Sequence, residues 1–331
     1  MNRSLFRPRK FALAFSLMAL FASIAPFNAY GQSALPKALT LVVPQATGGS
    51  NDAFGRAVAA RLPKFIDASV IVENRPGANG NVGSTYVAKS APKDASVWLV
   101  TVGSSQTINP VLYSKPGFDP IADFEPVAGI ATVPHVLLVN NALPVNSMAD
   151  LLALARKEPG KYSYGSSGNG TFSHLLMELM KKSQKVQLVH VHYKGIAPAL
   201  TDLIGGQLHY LISIVPAAMP YIKSGHVKAI AVMSLARSAA LPQVPLANDT
   251  VPGMVGELWI AMYSPKGTPK AAVSQMRNAV DKVLTLPEME DFVSAQGAAI
   301  LKLGQAELLA LTKADLEKWG SVVRETGLSI D

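Results

Sequence analysis

The sequence predicts an α/β fold of two domains that face each other across a cleft. From Leu39 onward, short apolar strands alternate with amphipathic helices, which is the βαβ rhythm of a mostly parallel sheet flanked by helices. This pattern occurs twice, and each time a turn rich in glycine and serine follows a strand. A length of 331 residues suits about two domains. A hydrophobic content of 49% with 16% charged residues fits a globular protein with much buried sheet.

Residues 1–31 are predicted to be a secretory signal peptide. The basic residues at its start are Arg3, Arg7, Arg9 and Lys10. An uncharged run, Phe11–Ala25, follows, and Ala29-Tyr30-Gly31 supplies small residues for cleavage near Gly31. The run is shorter than the about 20 residues that span a bilayer, and the absence of an adjacent Arg-Arg pair favours the general secretory route. An uncleaved membrane anchor is the alternative.

The cysteine content and the net charge indicate where the protein acts and which partners it is not expected to bind. The chain has no cysteine, so an exported form would have no disulfides and no lipid-modified cysteine. We therefore expect a freely diffusing periplasmic monomer. Removing residues 1–31 leaves 26 Lys and Arg against 22 Asp and Glu, which lowers the net charge from +8 to +4. No basic run remains after this removal, so no nucleic-acid partner is expected.

The first domain is predicted from its strands and helices in chain order. Apolar runs predict strands at Leu39–Val43, Val70–Val72 and Val97–Val102, with a helix after Asn51 and another at Gly83–Ser90. The helices predicted near the C-terminus are Lys270–Leu284, Glu288–Ala295 and Gln305–Thr326.

The second series of elements begins after Val136–Val139. Ser147 is predicted to cap a helix that runs through Arg156. The further predicted strands are Lys161–Tyr164, Val186–His192, Leu208–Ile214, Val227–Met233 and Glu257–Tyr263. The further predicted helices are Phe172–Lys182, Ile196–Ile204 and Ala217–Lys223.

The turn at Gly48-Gly49 is the first candidate binding site. It connects a strand to a helix, so main-chain N–H groups at the positive end of the helix dipole can face an anion. Gly48 and Gly49 let a ligand approach the backbone, while Ser50 and Asp52 are residue types that cap helices. An ordinary, well-capped βα turn is the alternative, and this turn alone does not separate the two.

The second candidate site is the loop Tyr164–Thr171, which occupies the matching position in the second series. Ser166, Ser167, Asn169 and Thr171 offer hydroxyl and amide groups ahead of a helix. We interpret the two loops as the halves of an anion clamp, one in each domain. The loop lacks the G-x-S-x-G pattern of a nucleophile elbow, which disfavours a serine hydrolase.

Other chemistry-bearing residues are given structural interpretations. His190 and His192 share one strand face with the spacing of metal ligands, but His174 and His209 do not obviously converge with them, so no metal is proposed. Asp52 and Arg56 are expected to pair on a helix surface. Arg75 is expected to pair with Glu73. Lys194 is either a positive group at the rim of the second domain or a surface lysine.

The mature chain resembles the Bug family of periplasmic solute receptors along nearly its whole length. The motifs that carry this resemblance are Gly48–Asp52 with Arg56, Val72–Gly83, Ile108–Pro110, Tyr164–Thr171 with Ser173-His174, Tyr193–Gly195 with Pro198–Leu200, Asp202–Gln207 and Ala236–Ser238.

The resemblance implies a type II, flytrap-like periplasmic binding protein that captures an organic carboxylate and serves a tripartite tricarboxylate transporter. It implies that the chain crosses between domains twice, near Val139 and Gly256. The predicted domains are therefore 32–139 with 257–331, and 140–256. The implied partners are the membrane subunits of such a transporter, and no cofactor or catalytic residue is implied.

Three departures from the family pattern bear on the ligand. Thr47 stands where a proline is usual, and Ser213 stands where an acidic residue is frequent. An acid at that position could hold a ligand ammonium, so its absence favours a carboxylate without an amine. Phe172 replaces a small residue and either lines the pocket or packs within its own domain. The ligand-binding residues proposed on this basis are Thr47, Gly48, Gly49, Ser50, Asp52, Ser104, Ser105, Ser166, Ser167, Asn169, Thr171, Phe172, Ala197, Pro198 and Ser213.

The sequence thus predicts a non-catalytic receptor for a mono- or dicarboxylate without an amine. Two alternatives stay open: an exported α/β hydrolase or esterase, and a receptor that signals to a sensor kinase.

Overall fold

Alternating strands and helices make up the part of the chain that the computed structural model describes, residues 34–330. The strands are β1 (Ala38–Val43), β2 (Ser69–Asn74), β3 (Val97–Val102), β4 (Phe124–Asn140), β5 (Ser163–Ser166), β6 (Val189–His192), β7 (Tyr210–Ile214), β8 (Val227–Val232), β9 (Glu257–Pro265) and β10 (Ala299–Ile300). The α-helices are α1 (Ser50–Arg61), α2 (Asn81–Lys89), α3 (Gly103–Thr107), α4 (Asn109–Leu112), α5 (Met148–Lys157), α6 (Phe172–Gln184), α7 (Ile196–Ile204), α8 (Val215–Lys223), α9 (Lys270–Leu284), α10 (Pro287–Ala295) and α11 (Gln305–Thr326). The predicted signal peptide lies outside the described residues.

These strands form one mixed sheet with the order β2-β1-β3-β9-β4-β7-β5-β6, while β8 and β10 also pair with β4. The outer strands are parallel, as predicted: β1 pairs with β2 and β3, and β5 pairs with β6 and β7. The central pairs β3–β9, β9–β4 and β4–β7 are antiparallel. The α/β fold predicted from the sequence is confirmed, with an antiparallel centre that the sequence pattern does not indicate.

Strand β4 is much longer than the apolar run Val136–Val139 by which the sequence indicates it. Its first part pairs with β9 and β10, and its last part pairs with β7 and β8. Register shifts at Pro126/Ala128 and Gly129/Ala131 accommodate residues that usually interrupt strands. One strand therefore belongs to both halves of the sheet, and the domain boundaries near Val139 and Gly256 stay a prediction.

Buried apolar side chains cover both faces of each half of the sheet. In the first half, Leu41 and Val43 join one apolar cluster and Val42 joins another, as the period of two along a strand requires. In the second half, Leu137 and Leu138 divide between two clusters in the same way.

The C-terminal helix α11 packs against α6. Its residues Trp319, Val322 and Val323 belong to the same buried cluster as Leu175 and Leu176 of α6. The later part of α11 therefore packs with the second half of the sheet, whereas Leu308 near its start belongs to a cluster of the first half. No helix in the described part of the chain combines the length and the apolar character needed to cross a membrane.

Candidate functional site

A cavity of about 550 Å³ opens where the two halves of the sheet meet. Its walls come from residues on both sides of β4. The lining residues are Pro44, Gln45, Ala46, Gly49, Pro76, Gly77, Asn79, Gly80, Val102, Ser104, Asn109, His135, Ser167, Gly170, Thr171, Phe172, Ser173, Gly195, Ile196, Ile212, Ser213, Ile214 and Leu258.

Helices begin around this cavity. In residues 34–330, five helices of nine or more residues have an N-cap residue in the lining, and these residues are Gly49 (α1), Gly80 (α2), Thr171 (α6), Gly195 (α7) and Ile214 (α8). The first N–H groups of a helix have no partner within the helix, and each helix start carries about half a positive charge. In α2, however, the first two amides already donate to the preceding turn, Asn81 N to Ala78 O and Val82 N to Gly77 O. The arrangement concentrates positive potential in the cavity without using a cationic side chain.

Among residues 34–330, the lining includes no Asp, Glu, Lys or Arg, and His135 is its only ionisable group. A ligand carboxylate in this cavity would meet the helix starts without an opposing carboxylate. A ligand ammonium would meet no negative side chain among these residues. The electrostatics of the lining therefore favour an anion.

The Gly48-Gly49 turn is held in place by its own polar residues. Asp52 is almost fully buried, and its carboxylate accepts hydrogen bonds from Gly48 N (2.9 Å), Arg56 Nε (3.0 Å) and Asn74 Nδ2 (2.8 Å). Burial opposes ionisation of Asp52, but the hydrogen bonds from Arg56, Gly48 and Asn74 outweigh burial and lower its pKa. The predicted pairing of Asp52 with Arg56 is present, and Asp52 fixes the turn rather than lining the cavity.

In the second loop, several amides and hydroxyls bond to each other. Ser167 N donates to Ser173 Oγ (3.0 Å), Gly168 N to Ser166 Oγ (3.3 Å), and Gly170 N to His174 Nδ1 (3.1 Å). These three amides hold the loop, so the donors left for a ligand are hydroxyls and the first amides of α6.

Three hydroxyls form a chain at the edge of the cavity. Thr171 Oγ1 donates to Gly168 O (2.7 Å) and lies 3.0 Å from Ser173 Oγ, which lies 3.2 Å from Ser167 Oγ. Thr171 has only one hydroxyl hydrogen, so Ser173 must be the donor to Thr171. The hydroxyl of Ser167 is then the first donor in this series of hydroxyls. It can turn from Ser173 to a ligand while Thr171 still donates to Gly168 O and Ser173 still donates to Thr171.

A third loop, Pro76–Gly80, lines the cavity and was absent from the proposed site. Asn79 has φ +54°, its carbonyl accepts from Ser105 Oγ (2.9 Å) and Asn109 Nδ2 (3.0 Å), and its side chain donates to Tyr113 Oη (3.0 Å). This loop also follows a parallel strand and precedes a helix. The position between a strand and a helix, which identifies the other two loops in the sequence, therefore identifies this loop as well.

His135 is another lining residue that the sequence did not indicate. It is 5% exposed and lies on β4 opposite Ile214 of β7. Its Nδ1 is 2.9 Å from Gly256 O, and its ring lies 5.5 Å from the ring of Phe172. Burial lowers the pKa of His135 to about 4, so the ring is neutral near pH 7.

The structure divides the proposed ligand-binding residues into two groups. Those that line the cavity are Gly49, Ser104, Ser167, Thr171, Phe172 and Ser213. Those outside its lining are Thr47, Gly48, Ser50, Asp52, Ser105, Ser166, Asn169, Ala197 and Pro198. Phe172 lines the cavity, and its ring packs edge-on at 5.1 Å against Trp319, which belongs to the segment predicted for the other domain.

The remaining candidates behave as structural residues. The expectation that His174 does not converge with His190 is wrong, because the two rings stack with centroids 3.9 Å apart. The Nε2 of His190 is 2.7 Å from Ser166 Oγ. Burial, followed by the charge of His174, lowers the pKa of His190 to about 4. Arg75 pairs with Glu73 at 2.7 Å, as predicted, and Lys194 is exposed.

Residues 54–328 match the family model described as the tripartite tricarboxylate transporter family receptor. One curated relative, the UPF0065 protein in the tcbD-tcbE intergenic region of a Pseudomonas species, is 32% identical over 94% of this chain and 93% of its own length. Protein BugT of Bordetella pertussis is 29% identical over 92% of this chain and 94% of its own length.

Solved structures with the same fold include proteins with bound carboxylates. Rpa4515 of R. palustris with adipate is 33% identical, has a TM-score of 0.77, and is matched over 88% of this chain and 98% of its own. The periplasmic binding protein BugD is 31% identical with a TM-score of 0.74, over 88% and 98%. MatC (Rpa3494) of Rhodopseudomonas palustris with bound malate is 27% identical with a TM-score of 0.74, over 86% and 98%.

Proposed function

Since this chain belongs to the tripartite tricarboxylate transporter receptor family, we propose that it binds a small organic carboxylate without an amine in the cavity described above. We propose further that it presents this solute to the membrane subunits of a tripartite transporter. The observation that carries the ligand class is the convergence of five helix starts, within residues 34–330, on a lining without Asp, Glu, Lys or Arg. The adipate and malate bound by two relatives of the same fold support the same class.

Donors from both halves of the sheet would bind the carboxylate. Gly49, at the start of α1, offers first-turn amides of α1 from one side. Ser167 and Thr171 offer hydroxyls, with the first amides of α6, from the other side. A ligand held from both sides would favour the closed arrangement of the two halves, and membrane subunits can recognise that arrangement.

The neutral side chain of Ser213 supports the proposed preference against amines. It is 1% exposed, lines the cavity and carries no charge. An ammonium group in this cavity would be desolvated and would lie among helix starts with no counter-charge, which is costly. Amino acids should therefore bind weakly compared with the carboxylates of the same size.

Calorimetric titration of the mature protein tests the ligand class with matched sets that differ in one group, such as succinate against aspartate and benzoate against benzamide. We expect the non-amine carboxylates to bind and the amide and amine partners to bind at least tenfold more weakly. Ser213→Asp should abolish binding of the non-amine carboxylates, whereas the neutral Ser213→Asn should retain most of it. Tight binding of amines or amides to the unchanged protein would contradict the proposal.

Uptake into cells or proteoliposomes that contain the membrane subunits tests the proposed transport role. Uptake of the bound carboxylate should require this protein. Uptake that is equally fast without it would leave a sensory role as the better interpretation.

The contact between Ser166 and His190 does not favour a hydrolase. Ser166 is fully buried and lies outside the cavity lining, and its hydroxyl donates to Gly168 O at 3.0 Å. Within residues 34–330, no carboxylate forms a hydrogen bond to His190, so the third member of a triad is missing. This geometry supports a structural role for the pair.

A further inference from the structure

His135 occupies a central place in the cavity. It lies on β4, the strand shared by both halves of the sheet, and its Cα is paired with that of Ile214, the residue that caps α8. The side chain lines the cavity but is 95% buried. Its polar atoms are therefore placed among apolar neighbours and not in bulk solvent.

The hydrogen bond of Nδ1 fixes the tautomer of His135. The partner of Nδ1 at 2.9 Å is the main-chain oxygen of Gly256, and a carbonyl oxygen can only accept. Nδ1 must therefore carry the hydrogen, and in the neutral ring Nε2 carries a lone pair. Within residues 34–330, Nε2 has no hydrogen-bond partner and is not one of the fully buried atoms without a partner, so it is an acceptor that a ligand in the cavity can reach.

The neighbours of this acceptor restrict what can satisfy it. The ring of Phe172 lies 5.5 Å from that of His135, and Ile214 lies opposite His135 in the sheet, so both neighbours are apolar. A second carboxylate would place negative charge against a lone pair, and an ammonium would lack a counter-ion in this lining. A neutral donor on an otherwise apolar ligand is the group that fits.

We infer that the ligand carries a hydroxyl group which donates a hydrogen bond to His135 Nε2, so that this residue selects hydroxy-carboxylates over the corresponding carboxylates without the hydroxyl. This inference rests on the proposed carboxylate-binding function and adds a second point of recognition to it. The helix starts bind the carboxylate of the ligand, whereas His135 accepts a hydrogen bond from its hydroxyl, beside Phe172 and Ile214.

The test compares ligand pairs that differ only in one hydroxyl, including 4-hydroxybenzoate with benzoate, 3-hydroxybutyrate with butyrate, and malate with succinate. Isothermal titration at pH 7 gives the affinity of each member. At least one hydroxylated ligand should bind about tenfold or more tightly than its partner, because the partner displaces solvent from Nε2 without replacing the hydrogen bond.

Two variants assign this preference to His135. His135→Phe removes the acceptor and should reduce the ratio of the two affinities to about one. His135→Gln provides an amide donor for Gly256 O or an acceptor for the ligand, and should retain part of the preference. A ratio unchanged in the folded Phe variant would overturn the inference.

If the His135→Phe variant does not fold, an NMR measurement on the unchanged protein tests the same inference. In protein labelled with ¹⁵N-histidine, the hydroxylated ligand should shift the Nε2 resonance of His135 and its partner should not. Identical shifts with both members, or tighter binding of every ligand without the hydroxyl, would overturn the inference and leave carboxylate binding intact. Binding of amides or amines in preference to all carboxylates would overturn both proposals.

Discussion

Gly170 lies so close to Leu112 that a Cβ atom on Gly170 would come within 1.9 Å of Leu112 Cδ2. Gly170 belongs to the loop before α6, and Leu112 is the last residue of α4. The loop that lines the cavity from the second half of the sheet is therefore positioned by direct contact with the first half. Gly170 also has φ +71°, which a residue with a side chain rarely adopts.

Replacing Gly170 by alanine should destabilise the protein and weaken ligand binding together. The positive φ costs about 1 to 2 kcal/mol, and the collision with Leu112 adds about 1 to 3 kcal/mol. Gly225→Ala is the matched control, because Gly225 also has φ +71° but has no atom within 4 Å of the added Cβ. Urea denaturation and titration calorimetry measure both effects, and equal losses in the two variants would contradict the role of Leu112. Leu112→Ala should recover part of the loss in the Gly170→Ala background.

Asp52→Asn should loosen the Gly48-Gly49 turn. The substitution removes the charge that attracts Gly48 N, Arg56 and Asn74, and should lower the free energy of unfolding by about 2 kcal/mol. Ligand affinity should fall as well, because Gly49 lines the cavity. Asp281→Asn breaks an equivalent pair with Arg277, which lies four residues before it on α9, and should leave affinity unchanged. A normal affinity in Asp52→Asn would show that the turn keeps its shape without this carboxylate.

Stability should fall as the pH decreases from about 7 towards 4. His135 and His190 have pKa values lowered to about 4 by burial, against a reference value of 6.5. Between these values the unfolded chain binds more protons than the folded one, so acid favours unfolding. For His135 alone, the loss between pH 7 and pH 4.5 should be about 2 to 3 kcal/mol.

Urea denaturation at several pH values measures this dependence. His135→Phe should flatten it by that amount, whereas replacing the exposed His226 by glutamine should not. An equally steep loss in the His135→Phe variant would assign the acid sensitivity to other groups.

Phe172→Ala should affect both stability and binding. Phe172 packs against His135 and Trp319 while lining the cavity, and its removal should cost about 3 to 5 kcal/mol. Phe118→Ala is the control, because Phe118 is equally buried and packs edge-on against Phe124 at 5.7 Å, outside the cavity lining. Thermal unfolding should give similar losses, and calorimetry should show weaker binding only for Phe172→Ala. Equal affinities in both variants would contradict a role for Phe172 in the cavity wall.

Much of the fold was predictable because its outer strands and helices follow local patterns. Predicted and observed bounds agree closely for α7, α9 and α11, whose apolar positions recur with the helical period. The long strand β4 was not predictable, since Pro126, Gly129 and Pro134 interrupt its apolar pattern. Pairing with strands distant in the sequence is what keeps these residues extended.

Residues of the cavity lining were predictable where they belong to a loop between a strand and a helix. Gly49, Ser167 and Thr171 were found in this way. Asp52 and Ser166 have suitable side chains, yet inside the protein those groups satisfy the amides of their own loops. The sequence does not show which polar groups of a loop form hydrogen bonds within that loop.

His135 lay beyond the reach of sequence reasoning for a different reason. It comes from the interior of a strand, and it reaches the cavity only because β4 pairs with β7 there. No turn or helix start near it in the chain marks it as a site residue.

The convergence of helix starts on one cavity has a consequence for how such a receptor can change over time. The N–H groups there belong to the main chain, and every amino acid except proline keeps them. Substitutions around the cavity can reshape its walls, and so exchange one solute for another, without deleting the groups that face the anion. Diversification of ligand choice would then proceed through side chains such as His135, Phe172 and Ser213, while the affinity for a negative charge is inherited with the fold.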